Sequence, residues 1–167
     1  MEDFRQYVSF RKDVYEGKWD SANQFLSSHP EALSAKISRN GDTALHKAIV
    51  GGHMNIVKEL VNKMSEENLK TKNNFGATVL STCAQFGNIE MAKCIIIKSR
   101  TLLSIGNYNE QLIPVVLAIE NNPNAIDMAH YLYDETLKED LMPRKGVNGA
   151  TFITQCIYAK AFGNNFN

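Results

Sequence analysis

Large apolar residues recur along the chain at an almost constant spacing. Three aligned segments begin at Thr43 (TALHKAIVGGH), Thr78 (TVLSTCAQFGN) and Ile113 (IPVVLAIENNP), and each offset is 35 residues. A degraded copy begins 35 residues before Thr43, at Val8, and a further copy begins 38 residues after Ile113, at Thr151. A period of roughly 20 to 50 residues is typical of repeat proteins, so the pattern predicts a solenoid.

Three columns of this alignment describe one face of a short helix. The first column is large and apolar in every copy: Phe10, Leu45, Leu80, Val115 and Ile153. Three positions later, the residues are small after the first copy: Asp13, Ala48, Cys83, Ala118 and Cys156. The next column is apolar again: Val14, Ile49, Ala84, Ile119 and Ile157. Apolar residues three and four positions apart share a helix face, and the small column lets neighbouring helices approach closely.

A second apolar pattern follows each of the first four copies after a turn. In the second unit, apolar residues stand at positions 56, 57, 60, 61 and 64, as expected for an amphipathic helix. The fourth unit fits if two residues are inserted between Pro123 and Ala125. Each unit is therefore predicted as helix, tight turn, helix and polar connector, and stacking buries the apolar faces. The prediction is one all-α domain over residues 1–167, with repeats at about 5–38, 39–73, 74–108 and 109–142 and a partial unit at 147–163.

Capping and turn residues separate the predicted units. Thr43, Thr78 and Thr151 stand where a helix N-cap hydroxyl is expected, and Pro114 suits a first helical turn. Before these caps, the glycine-containing segments 39–42, 73–76 and 147–149 are typical of β-turns. In the fourth unit Gln111 replaces the glycine, so we expect an irregular turn there.

Composition and charge narrow the class of protein. Lys plus Arg and Asp plus Glu each number 18, so the formal net charge is zero, whereas a sequence-independent nucleic-acid binder needs a basic footprint. Three cysteines without a pairing pattern, and a charged start (MEDFRQYVSFRKD), indicate a reducing compartment and no secretory leader. No uncharged apolar run has the length of a membrane span. We therefore expect a soluble, cytoplasmic monomer that does not bind nucleic acid.

The second unit carries the most specific motif. Asn40-Gly41-Asp42-Thr43-Ala44-Leu45-His46, followed by Gly52-His53, resembles the ankyrin-repeat motif G-x-T-P-L-H…G-H. The resemblance implies an ankyrin solenoid in which β-turn fingers connect helix-turn-helix units. It also implies a protein-interaction scaffold, with another protein as partner.

A narrower resemblance covers roughly Phe10 to Asp134. The segments at 17–20, 29–37 and 39–46, and Met128-Ala129-His130-Tyr131-Leu132-Tyr133, are similar to plant ankyrin-repeat proteins that end in a PGG transmembrane domain. This resemblance implies the cytosolic part of a membrane signalling protein linked to stress or defence, placed at the plasma membrane. Since such relatives continue into membrane helices, a truncated product, a short isoform or an incomplete gene model is expected.

No residue set favours an enzyme, a cofactor or a metal. His46 could be a base or ligand, but no carboxylate or second histidine stands at ligand spacing, so a loop-bracing role is favoured. Cys83 and Cys156 fall in the small core column, and Cys94 is expected to be the most exposed thiol. A nucleophilic cysteine needs an activating base, and none is evident.

The predicted binding surface is the concave side, formed by finger tips and the outward face of each first helix. Its predicted partner-binding residues are Arg39, Asn40, Asp42, Val50, Asn74, Phe75, Gln85, Phe86, Asn109, Glu110, Leu112 and Glu120. Phe75 and Phe86 are aromatics at the centre with polar neighbours, which is typical of a binding hot spot. The alternative is that Phe75 packs against the adjacent finger. A further expectation is that the incomplete last unit leaves apolar surface uncovered and favours aggregation.

Overall fold

The fold is a stack of paired helices, described here from a computed structural model. The structure describes residues 4–86, 88–108, 110–121 and 126–161, and all regular structure within them is helical. The first helices of the five units are α1 (Val8–Tyr15), α3 (Ala44–Val50), α6 (Val79–Phe86), α8 (Pro114–Asn121) and α10 (Val147–Ala161). The second helices are α2 (Trp19–Ser28), α4 (Met54–Lys63), α7 (Ile89–Lys98) and α9 (Ile126–Glu135), and the short α5 (Glu66–Leu69) follows α4.

The first helices form the inner layer of the stack. In order along the chain, α1, α3, α6, α8 and α10 each pack against the next, while α4, α7 and α9 form an outer layer. Leu45, Leu80 and Val115 are fully buried in one continuous apolar core. This arrangement confirms the predicted all-α ankyrin solenoid and the predicted alignment of its large apolar column.

Small side chains allow the inner helices to approach one another. Ala48, Cys83 and Ala118 are fully buried at the predicted positions. In the outer layer, the second unit buries all of its predicted stripe, and Ala22 in α2 and Ala92 in α7 are fully buried. In α9 the apolar pattern is only partly buried, since Tyr133 is 36% exposed. The insertion predicted near residues 123–125 lies outside the described residues.

The helix starts of the middle units follow the predicted caps. The Oγ1 atom of Thr78 accepts a hydrogen bond from the backbone nitrogen of Ser81 at 3.2 Å. Thr43 is the N-cap of α3, and Pro114 is the first residue of α8. A threonine hydroxyl accepts a hydrogen bond from a backbone N–H group that would lack a partner in the first helical turn, and proline has no such N–H group.

The last unit differs from its prediction. Helix α10 begins at Val147, so Thr151 lies inside the helix and residues 147–149 are helical instead of forming a turn. Ile153 and Ile157, which the predicted alignment placed in buried columns, are 44% and 63% exposed. Among the described apolar side chains of α10, Phe152 and Cys156 are the ones that pack against the core.

The finger turns keep a constant 35-residue spacing into the last unit, where the predicted helix alignment has an offset of 38. Positive φ angles occur at Gly41 (73°), Gly76 (79°), Gln111 (57°) and Gly146 (143°), and these residue numbers differ by 35 each time. The fifth unit therefore continues the 35-residue register, and the 38-residue offset predicted from Thr151 is wrong. At Gly76 a Cβ atom would collide with the backbone nitrogen of Tyr108 in the next finger, so this turn excludes side chains.

Candidate functional site: a concave groove

A groove of about 410 Å³ runs along the concave side of the second, third and fourth units. Three fingers form one wall, and the inner helices α3, α6 and α8 form the other. The residues that line it are Asn40, Asp42, Lys47, Val50, Asn73, Phe75, Ala77, Thr82, Gln85, Phe86, Asn107 and Leu117.

Two columns of the repeat supply the helical wall. Positions 47, 82 and 117 repeat at intervals of 35 and hold Lys47, Thr82 and Leu117, of which the last two are buried. The column one turn later begins with Val50 and Gln85, which lie closer to solvent. Residues three positions apart share a helix face, so the groove has a floor and an upper edge.

Two aromatic rings stand at the centre of the groove. Phe75, in the finger of the third unit, is 60% exposed, and Phe86, at the end of α6, is 64% exposed. An exposure of this size means that Phe75 is not buried against the adjacent finger, which was the alternative reading of this residue. Both rings are available to another molecule.

A chain of polar contacts fixes the backbone at Phe75. The Oδ1 atom of Asn73 accepts hydrogen bonds from the backbone nitrogens of Phe75 and Ala77, both at 3.0 Å. The Nδ2 atom of Asn73 donates to Asp42 in the neighbouring finger at 2.9 Å, and Asp42 forms an ion pair with Lys47 at 2.7 Å. The finger that presents Phe75 is thereby tied to the second unit.

These polar contacts stabilise the negative charge of Asp42. Burial by itself would raise the pKa of Asp42, but hydrogen bonds from Lys47 and Asn73 and the charge of Lys47 outweigh it, so the pKa lies below its ordinary value. Asp42 also accepts a hydrogen bond from the Oγ atom of Ser38 at 3.0 Å. Because Asp42 has these partners and is only 8% exposed, it holds the finger in place and presents little of its charge to solvent.

His46 braces two units from inside the stack. Its Nδ1 atom accepts a hydrogen bond from the backbone nitrogen of Thr43 at 3.2 Å, so the neutral ring donates from Nε2 to the carbonyl oxygen of Ala77 at 3.1 Å. Burial lowers the pKa of His46, which keeps the ring uncharged near neutral pH. The structure confirms the predicted loop-bracing role.

The predicted partner-binding residues fall into separate groups. Six of them line the groove: Asn40, Asp42, Val50, Phe75, Gln85 and Phe86. Arg39 and Asn74 are exposed beside it on finger tips, where the Nδ2 atom of Asn74 donates to the carbonyl oxygen of Arg39 at 3.1 Å. Glu110 and Glu120 are exposed on the fourth unit. Asn109 lies outside the described residues.

Leu112 is a correction to the predicted surface. It is 2% exposed and belongs to the apolar core. The finger of the fourth unit is one residue longer than that of the third: Asn107 Oδ1 accepts from the backbone nitrogens of Glu110 and Leu112, whereas Asn73 Oδ1 accepts from those of Phe75 and Ala77. Leu112 therefore closes the base of its finger, like Ala77, and its side chain turns inward.

Sequence reasoning missed part of the groove. The sequence was sufficient to place the column of Lys47 in the groove, because this column stands one helical turn before Val50 and recurs at 35-residue intervals. Asn73 carried a weaker signal, since the segment 73–76 predicted only a turn. Its role in positioning Phe75 depends on contacts with a neighbouring unit.

The cysteines lie in surroundings that oppose thiolate chemistry. Cys83 is fully buried, and burial raises its pKa to about 12. Burial also raises the pKa of Cys94 and of Cys156, and both are half-buried, so exposure does not single out Cys94. In the part of the chain that the structure describes, no group of three or more His, Cys, Asp or Glu side chains could hold a metal ion. Within the same residues, no helix has the length and apolar character needed to cross a membrane.

The repeated helix-turn-helix units and their concave groove define a repeat scaffold. Residues 14–106, more than half of the chain, match the family described as ankyrin repeats in three copies. The chain therefore belongs to the ankyrin-repeat family. This match concerns the repeats, so the resemblance to plant proteins with a PGG domain stays a prediction.

A solved structure shows the same fold. A chain in the complex of the Bd0816 predatory endopeptidase from Bdellovibrio bacteriovorus with immunity protein Bd3460 is similar, with a TM-score of 0.60 and 23% sequence identity. The alignment covers 77% of this protein and 63% of that chain, and at this identity it shows the fold alone. No curated protein sequence matches significantly.

Proposed function

We propose that the chain is a protein-interaction module that binds a partner through the concave groove. The observation that carries this proposal is the exposure of Phe75 and Phe86, 60% and 64%, at the centre of the groove. Large aromatic side chains surrounded by polar ones are typical of hot spots, where a few residues supply most of the binding free energy.

The way in which Phe75 is held also favours binding. Its finger is fixed by Asn73 and by the pair of Asp42 and Lys47. A surface that is already ordered loses less conformational entropy when a partner docks. The solved structure of similar fold contains two proteins in complex, which is consistent with a scaffold of this kind.

Proximity labelling in cells of the source organism tests the proposal. Three forms of the chain are compared: the wild type, F75A/F86A and I97A/L137A. Ile97 and Leu137 are at least as exposed as the two phenylalanines, at 86% and 68%, but neither lies among the residues of the groove. The control therefore removes exposed apolar surface of a similar kind elsewhere.

We expect the wild type and I97A/L137A to label the same proteins, and F75A/F86A to lose them. Because all four side chains are exposed, neither double substitution should unfold the stack, which circular dichroism verifies. Equal labelling by F75A/F86A and the wild type would refute the assignment of the groove.

The alternative function is the cytosolic ankyrin part of a plant membrane signalling protein. It is supported by the quoted similarity of residues 17–46 and 128–133 to the PGG-domain family. Sequencing of the transcript tests it: a reading frame that continues beyond residue 167 into apolar spans would support this alternative, and a stop codon there would oppose it.

A further inference from the structure

The N-terminal end of the groove opens into a second, basic hollow. This hollow has a volume of about 300 Å³ and lies between α1 and the finger of the second unit. Its lining is formed by Arg11, Lys12, Tyr15, Ser38, Arg39, Asn40 and Lys47. Asn40 and Lys47 also line the concave groove, so the two depressions form one continuous surface.

Two of the four cations in this hollow lack a carboxylate partner. Lys47 is compensated by Asp42 at 2.7 Å, and Lys12 lies 3.9 Å from Glu16. Among the described residues, no carboxylate pairs with either arginine. Arg11 makes only a long hydrogen bond of 3.4 Å to the carbonyl oxygen of Ile37, and Arg39 is exposed at a finger tip.

The opposite end of the concave face carries negative charge. Glu110 and Glu120 are exposed on the fourth unit, and within the described ranges neither takes part in an ion pair. The formal net charge of the whole chain is zero. The concave side therefore changes from positive at the first two units, through aromatic at the third, to negative at the fourth.

From this order of charges we infer the chemistry of the partner, on the basis of the proposed function. The occupant is an extended segment of another protein whose carboxylate side chains meet Arg11 and Arg39. A large apolar side chain of the same segment lies against Phe75 and Phe86.

Guanidinium geometry and overall charge support an acidic peptide. Arginine presents parallel N–H donors that match a carboxylate, and such pairs are stronger than neutral hydrogen bonds. A nucleic acid would also meet the arginines, but its phosphates would continue toward Glu110 and Glu120 and be repelled there. Nucleic-acid binding depends on neutralising several phosphates, which a chain without net charge does poorly.

Selection from a random peptide display library tests the inference. The full chain is immobilised as wild type, R11E/R39E, F75A/F86A and the control K58E/K63E, which makes the same change of charge on exposed residues of α4. We expect the wild type and K58E/K63E to select peptides that combine acidic residues with a large apolar residue. R11E/R39E should lose the acidic preference and keep the apolar one.

The outcomes separate this inference from the proposed function. Wild-type peptides that depend on Phe75 and Phe86 but show no acidic preference would overturn the inference and leave the proposed function intact. Absence of any peptide that depends on these phenylalanines would overturn both. If R11E/R39E does not fold, R39E alone replaces it, because Arg39 lies exposed on a finger tip.

A selected peptide then gives a quantitative test by fluorescence anisotropy. We expect R11E/R39E to raise the dissociation constant about tenfold or more and K58E/K63E to leave it unchanged. Added salt should weaken peptide binding by the wild type more than binding by R11E/R39E. An oligothymidylate of equal charge is the second probe. If it bound the wild type as tightly as the peptide and lost affinity in R11E/R39E, the hollow would be a phosphate site and the inference would be wrong.

Discussion

The histidine brace that joins the second and third units has no counterpart in the fourth unit. The ring of His46 reaches the carbonyl oxygen of Ala77 in the next unit at 3.1 Å, whereas Val116, at the same repeat position, has no side-chain hydrogen-bonding group. In the 35-residue register, Ile153 stands in the column of Ala48 and Cys83, which are fully buried, but it is 44% exposed. The same repeat pattern thus gives a tightly held centre and a loosely covered end.

This difference shows where a repeat protein can place a binding surface. The groove with its two aromatic rings lies on the tightly held units, and the polar contacts of Asn73 connect the exposed finger to them. In a solenoid each unit contacts only its neighbours, so local stability follows local packing. We expect the groove to stay ordered even when the C-terminal helix opens.

The largest expected effect comes from truncating the core at the centre. Leu80→Ala removes a fully buried side chain and should lower the free energy of unfolding by about 2 to 5 kcal/mol. Ile153→Ala, in the last unit, removes a side chain that is 44% exposed and should lower it by less than about 0.5 kcal/mol, since surface substitutions have small effects. Urea denaturation of both variants measures the difference, and equal losses would contradict the contrast between the units.

The finger of the third unit should be the next most sensitive position. Gly76→Ala places a Cβ against the backbone of Tyr108 and forces alanine to a φ angle of 79°. A left-handed conformation alone costs about 1 to 2 kcal/mol, so we expect a total loss of about 2 kcal/mol or more. Thermal melting checks this value; a loss below about 0.5 kcal/mol would mean that the fingers are not packed as described.

The brace at His46 should make stability depend on pH. Because burial lowers its pKa from the ordinary 6.5, the unfolded chain binds a proton that the native chain does not, and stability falls as pH drops below about 6.5. The slope is at most about 1.4 kcal/mol per pH unit for one proton. The carboxylate of Asp42, whose pKa is lowered from 3.8, is protonated only in a more acidic range.

His46→Gln separates this contribution from the other histidines. Glutamine can still accept from the backbone nitrogen of Thr43, as in a capping box, but has no charge to gain. Urea denaturation of both proteins at pH 7.5 and pH 5.5 should show a smaller pH dependence for the variant. The same dependence in both would exclude His46 as its source.

The smallest expected effect is a gain in the finger of the fourth unit. Gln111 holds a φ angle of 57° at the position where the second and third fingers have glycine. Gln111→Gly relieves this strain, and after the larger entropy loss of glycine we expect a gain of about 0.5 kcal/mol. Thermal melting of the variant tests it, and a loss of stability would show that the 3.4 Å hydrogen bond from Gln111 Nε2 to the carbonyl oxygen of Tyr108 outweighs the strain.

The sequence predicted what depends on the repeat and missed what depends on single deviations from it. The core column and the exposed Phe75 and Phe86 follow from the 35-residue period. Leu112 was misplaced because the fourth finger is one residue longer, and its burial follows from where Asn107 closes the turn. The start of α10 differs from its prediction because Thr151 is not an N-cap: the turn lies at Gly146 and the helix begins at Val147.

Photo-crosslinking from inside the groove tests the binding surface most directly. A benzophenone amino acid replaces Phe86 in one form of the chain and Ile97 in another, and both are irradiated in cells of the source organism. Both positions are exposed, but only residue 86 lines the groove. We predict a discrete crosslinked partner from position 86 and none from position 97. The same partner from position 97, with none from position 86, would contradict the proposed binding surface.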